Sequence, residues 1–99
     1  MRAPDRSGQS RVDVVLVTAP RCHFCNDAAE LLEDLRARYR IAIREVALQS
    51  DEGADIAARF RVPFPPVLLI EGDYFGHGRI SRRKLTKALD AMIEPDLPR

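Results

Sequence analysis

Apolar and polar positions along the chain follow two different periods, and the change of period marks the elements. Residues 12–18 read Val-Asp-Val-Val-Leu-Val-Thr. The run is nearly continuous in its middle, which predicts a strand buried on both faces. Residues 18–21 form a loop punctuated by Pro20. Ala28, Leu31, Leu32, Leu35 and Tyr39 then recur at helical spacing, with Glu30, Glu33, Asp34, Arg36 and Arg38 on the other side. The spacing predicts a helix with its apolar stripe in the core. Asp34 and Arg38 stand four residues apart, as a favourable pair on one helix face does. Residues 41–48 predict a second strand. Its alternation, Ile41 and Ile43 against Ala42 and Arg44, slips at Glu45-Val46, as at a sheet edge or a bulge. Ser50-Asp51-Glu52 is a capped start for a short helix through Phe60, with Ile56 and Phe60 inward.

Val62-Pro63-Phe64-Pro65-Pro66 suits neither helix nor central strand, because proline has no N–H to give. Residues 67–70 are again apolar and continuous, a third buried strand. Glu71-Gly72-Asp73 is a tight hairpin connection, so residues 74–78 return antiparallel. Ser81 caps a last helix whose Leu85, Ala88, Leu89, Met92 and Ile93 form an inward stripe, ending before Pro95. The order is β-α-β-α-β-β-α. A helix between the first two strands makes them parallel, through a right-handed crossover. The fold class is α/β, with helices on both faces of a four-stranded mixed sheet.

At 99 residues the chain is one domain. That domain is expected over residues 12–94, with loose tails at 1–11 and 95–99. Hydrophobic residues at 45% and charged residues at 31% are those of a soluble globular protein. No apolar run approaches the ~18 residues of a membrane span. The polar start has no apolar h-region, which points away from secretion and towards the cytoplasm. In that compartment a cysteine pair is more often catalytic than structural. A net charge of +1 names no partner.

The only two cysteines lie in Cys22-His23-Phe24-Cys25, at the junction of the first strand and the first helix. Backbone N–H groups at a helix start lack intrahelical partners, and the helix dipole favours negative charge there. A thiolate is such a charge, and only the thiolate attacks. Cys22 sits where this help is greatest, and Cys25, one turn on, can close a disulfide with it. Two other readings stay open at this point. A zinc site wants about four ligands, and only His23 and His77 remain to join the pair. Buried thiols can also be inert. The Cys-x-x-Cys spacing in a chain of βαβ character favours redox chemistry.

Residues 16–25, Leu-Val-Thr-Ala-Pro-Arg-Cys-His-Phe-Cys, followed by an acidic leucine helix, resemble the active-site stretch of small glutaredoxin-like proteins of the thioredoxin superfamily. Pro65-Pro66-Val67-Leu68-Leu69-Ile70 resembles the segment that carries the superfamily's cis-proline, with Pro66 at that place. Gly78-Arg79-Ile80-Ser81 resembles the turn before the final thioredoxin helix. The resemblance spans residues 12–93 and implies a thioredoxin-like, glutaredoxin-type fold. It also implies a thiol–disulfide oxidoreductase, with Cys22 attacking and Cys25 resolving. Arg21 and His23 would add positive charge beside Cys22, and Phe24 would offer an aromatic surface to a substrate. A cis Pro65–Pro66 bond would turn the preceding carbonyl towards the Cys pair.

The implied partners are a disulfide-containing protein or glutathione, with a thioredoxin-type reductase as a further source of electrons. Nucleic acid, membrane, resident metal and cofactor are not implied, and the expected state is a monomer. The chain departs from the pattern it resembles in several places. Pro65 removes the backbone donor usually found before the cis-proline. Leu16 stands near the place of the buried thioredoxin acid, and Arg21 at that of the thioredoxin tryptophan. Ser81-Arg82-Arg83-Lys84 replaces the acidic pair of glutathione-using glutaredoxins. Arg79, Arg82, Arg83, Lys84 and Lys87 make a basic end, which reads either as a solvated cationic face or as a surface near the cis-proline loop that steers anions. A cluster-binding module sharing a metal through Cys22, and a redox-sensing adaptor, are the competing functions.

Overall fold

The computed structural model describes residues 11–93, so the tails expected at the two ends lie outside the described residues apart from Arg11. The elements in chain order are β1 (Val12–Thr18), α1 (His23–Arg36), β2 (Ile41–Ala47), α2 (Asp51–Arg59), β3 (Val67–Ile70), β4 (Asp73–His77) and α3 (Arg82–Met92). The four strands form one sheet in the order β2-β1-β3-β4. β1 runs parallel to β2, while β3 is antiparallel to both β1 and β4. The mixed four-stranded sheet expected from the apolar pattern is therefore present, with β1 and β3 at its centre.

Two apolar clusters hold the helices on the sheet. On one face Val14 and Leu16 of β1 and Leu68 and Ile70 of β3 pack against α1 and α3. On the other face Val17, Val67, Leu69 and Val46 pack against Ile56 of α2. This division explains the slip in β2. Ile41 joins the first cluster and Val46 the second, because residues five apart on a strand point to opposite faces and each face is covered by its own helices. The pairing with β1 is regular throughout, so the edge position and not a bulge accounts for it. Leu85 and Leu89 are fully buried and fasten α3. Burying each such side chain stabilises by roughly 1.5–3 kcal/mol.

Three side chains differ from the periodic expectation. Helix α1 ends at Arg36, so Tyr39 reaches the core from the following turn and its hydroxyl bonds the carboxylate of Asp90 on α3. Arg38 also lies past the helix end, and its guanidinium sits over the Tyr39 ring. Asp34 therefore pairs with Arg82 of α3, at 2.8 Å, instead of with Arg38. Met92, expected inward, is exposed, because α3 stops at that residue and Ile93 turns into the core in extended backbone.

The turns show why the chain reverses where it does. Glu71 and Gly72 both have positive φ, at 53° and 84°. That is the pattern of the two-residue hairpin turn whose twist matches its strands. Glu71 accepts the left-handed backbone while its carboxylate takes the N–H of Asp13 at 2.7 Å. Gly53 is forced by contact. A Cβ there would stand 2.0 Å from the Ala47 carbonyl oxygen, so the first turn of α2 lies directly on the end of β2.

Candidate active site

The end of β1 delivers the chain to Arg21, whose φ of 53° is left-handed and unusual for a residue with a side chain. After this bend Cys22 adopts extended backbone and caps α1. Its Sγ accepts a hydrogen bond from the backbone N–H of Cys25 at 3.1 Å. Serine or aspartate oxygen usually fills this role at a helix start. Here sulfur does, so the atom that would carry the negative charge faces a donor at the positive end of the helix.

Cys22 and Cys25 are joined as a disulfide, with Cα atoms 5.2 Å apart. The two are unequally open. Cys22 is half-buried, whereas Cys25 is only 3% exposed and lies beneath it. His23 is exposed at the first position of α1, and Phe24 beside it is 43% exposed. Arg21 is exposed as well. Arg21, His23 and Phe24, the residues that flank Cys22 in sequence, are thus all open to solvent.

The opposite wall comes from the proline loop. The Pro65–Pro66 peptide is cis, and the Pro65 carbonyl oxygen lies 3.9 Å from Cys22 Sγ. That oxygen can accept a hydrogen bond from the Cys22 thiol when the pair is reduced. Pro66 is fully buried, and its carbonyl accepts the N–H of Gly78 at 2.9 Å. Gly78 has φ of 67°, and a Cβ on it would meet the Phe64 ring at 2.8 Å. The loop is therefore seated on Gly78 through Phe64.

Sequence reasoning did not find the aromatic group that continues from this loop. Phe64 meets the His77 ring edge to face at 5.1 Å between centroids. The Tyr74 hydroxyl and His77 Nδ1 share a hydrogen bond of 2.7 Å. Tyr74 stacks on Phe60 at 5.7 Å, and the Arg59 guanidinium lies over the Phe60 ring. Tyr74 and His77 are three residues apart and would point to opposite faces of a regular strand. The register shift opposite Leu68 and Leu69 inserts an extra residue, Phe75, into β4. Both rings then face the α2 side, opposite Leu69 and Val67. Nothing in the sequence pattern signals the insertion.

Of the basic end, Arg82 has an acidic partner. Arg82 bonds Asp34, which lies twelve residues beyond Cys22 (34 − 22), or about 18 Å along α1 at the helical rise. Its charge is engaged by Asp34 on the acidic side of α1. Among the described residues no three His, Cys, Asp or Glu side chains gather as a metal site requires. No helix among them is long and apolar enough to cross a membrane.

A family model described as glutaredoxin matches residues 14–75 of this chain. Among solved structures, a mutant thioredoxin from Halobacterium salinarum superposes with a TM-score of 0.64 at 20% identity. The match covers 88% of this chain and 78% of that one. A reduced Schistosoma mansoni thioredoxin pre-protein gives a TM-score of 0.62 at 20% identity, covering 88% of this chain and 84% of that one. A structure described as a malarial protein gives a TM-score of 0.60 at 20% identity, covering 83% of this chain and 97% of that one. At this identity the structures share the fold. Among curated protein sequences none matches significantly.

Proposed function

The chain belongs to the glutaredoxin family, and from that premise we propose that it is a dithiol–disulfide oxidoreductase in which Cys22 attacks and Cys25 resolves. Family membership and the Cys22–Cys25 pair support thiol–disulfide redox function in general terms. The observation that carries the finer reading is the inequality of the two sulfurs. Cys22 is at the surface and receives a backbone N–H, whereas Cys25 is covered.

The reduced Cys22 thiolate would attack one sulfur of a substrate disulfide. The first substrate thiolate leaves and takes a proton from solvent. Cys22 is then held in a mixed disulfide with the other half. Cys25, as thiolate, attacks Cys22 Sγ and expels the second substrate thiol. Two electrons have passed to the substrate, and the Cys22–Cys25 disulfide has formed. Two glutathione molecules, leaving as glutathione disulfide, or one dithiol reductant must return the two electrons. A glutathione mixed disulfide or a protein disulfide is the proposed substrate class, and the Pro65 carbonyl is the proposed contact for its backbone.

Equilibration of the purified protein against glutathione buffers, followed by mass analysis of the trapped states, tests the assignment. Wild type should cycle between dithiol and disulfide. Cys22→Ser should lose exchange, and Cys25→Ser should stop at a mixed disulfide on Cys22. Equal behaviour of the two variants would remove the distinction on which the reading stands.

A further inference from the structure

We infer that the side-chain strip Phe64, His77, Tyr74 and Phe60, which begins at the proline loop and follows β4, docks an extended segment of the protein whose disulfide the Cys pair exchanges. The inference rests on the redox reading above and adds the class of substrate. Four large apolar side chains stand out as exposed among the described residues: Phe24, Phe64, Tyr74 and Met92. Phe24 lies within the Cys-x-x-Cys stretch, and Phe64 and Tyr74 belong to the strip, at 50% and 42% exposed. Contiguous exposed rings of this kind mark interaction surfaces, whereas single ones do not.

Three features specify an extended protein segment. First, β4 is an outer strand bonded only to β3, so its other edge offers free backbone N–H and C=O groups among the described residues. An incoming strand can satisfy them, with alternate side chains falling beside the Tyr74 and His77 rings. Second, the strip is continuous with the redox site. His77 pairs with Val67, the residue after Pro66, and Phe64 precedes the Pro65 carbonyl that faces Cys22. From His77 to Tyr74 the strand advances about 7 Å, because the bulge sets the two opposite Val67 and Leu69, two residues apart on β3. Third, Pro65 offers a substrate only its carbonyl, so two-way backbone pairing must be found elsewhere, and β4 supplies it.

Charge narrows the partner further. Arg59 lies 5.0 Å over Phe60, Arg61 follows it, and Arg79 follows Gly78 at the other end. Asp55 reaches Arg59 at 3.6 Å, and Asp73 pairs with Ile70 on the opposite face. An apolar segment with acidic flanks matches this border.

The test uses the whole chain and two substrates. With insulin as protein disulfide, Tyr74→Ser should raise KM about five- to tenfold with kcat held, the effect of losing one aromatic anchor. With hydroxyethyl disulfide its rate should stay within about twofold of wild type, because that molecule is too small to span the strip. Tyr74→Phe keeps the ring and should leave both substrates unchanged. A parallel measurement needs no thiol: S-alkylated insulin B chain is titrated into the Cys22→Ser, Cys25→Ser protein and followed by NMR. The amides of Tyr74 and His77 should shift, and Tyr74→Ser should weaken binding by the same factor. Equal slowing of both substrates, no effect on either, or B-chain shifts that avoid β4 would overturn the inference. So would a wild-type dimer that Tyr74→Ser makes monomeric, because the strip would then belong to a second copy. Failure of the wild type to reduce either disulfide would sink the redox reading, while the titration still decides the strip.

Discussion

Cys22 holds a helix start with the same sulfur that the proposed exchange uses. The N–H of Cys25 reaches that sulfur, and burial withholds Cys25 from reagents. We expect iodoacetamide to alkylate Cys22 of the reduced protein at least about tenfold faster than Cys25 at neutral pH, read by mass mapping of each single Cys→Ser variant. Arg61 shows the reverse relation between residue and backbone. It follows α2 at φ of 56°, with its N–H on Ala58 and that of Val62 on Ala57. This is the paired arrangement that usually ends a helix on glycine. Arg61→Gly should stabilise the fold by about 0.5–1 kcal/mol in urea unfolding, since the relieved left-handed strain exceeds the entropy of the new glycine. The capping cysteine was legible because Cys-x-x-Cys fell between a strand pattern and a helix pattern. The cis Pro65–Pro66 bond was legible only through resemblance. Tyr39 is in the core as expected but beyond the helix end, and Met92 was misplaced, because a periodic stripe does not say where the helix stops.

At the scale of elements, α2 depends on how closely it meets β2. Gly53→Ala should cost about 2–3 kcal/mol, because backbone must move to admit the Cβ, and thermal unfolding would show the loss. Arg44 and Glu52 make a second tie between the same elements, with bonds of 2.8 and 2.6 Å. The hydrogen bond from Arg44 holds the Glu52 carboxyl below its usual range. A depressed carboxyl contributes stability above its unfolded value and loses it as pH falls through the folded one. A small acid-side loss of stability should therefore vanish in Glu52→Gln and fade with salt, since both partners are exposed. Strand and helix identities were readable from period and caps. The β4 bulge was not, because Tyr74, Phe75, Gly76 and His77 fit a regular hairpin strand equally well. Only the fixed partners on β3 reveal the added residue. The aromatic strip therefore remained hidden, although each of its residues was in view.

Across the whole molecule, the two walls of the site stand on neighbouring central strands. Cys22 follows β1, Pro66 precedes β3, and Val17 pairs with Val67 directly beneath them. Both valines are fully buried. That both strands are buried was readable from the sequence, since each is a continuous apolar run. The ion pair of Arg82 was not, because its partner Asp34 lies 48 residues away on another helix. Central position also decides how the site can be lost. Amides in central strands exchange with solvent only through the largest openings, whereas outer strands open locally at little cost. Val17 and Val67 amides should therefore exchange near the rate of complete unfolding, and β4 amides orders of magnitude faster. Slow exchange at β4 and fast exchange at Val17 would contradict this. The protein would then carry its redox chemistry on the last part of the fold to open and its docking edge on one of the first. A partner could reshape the edge without disturbing the sulfurs.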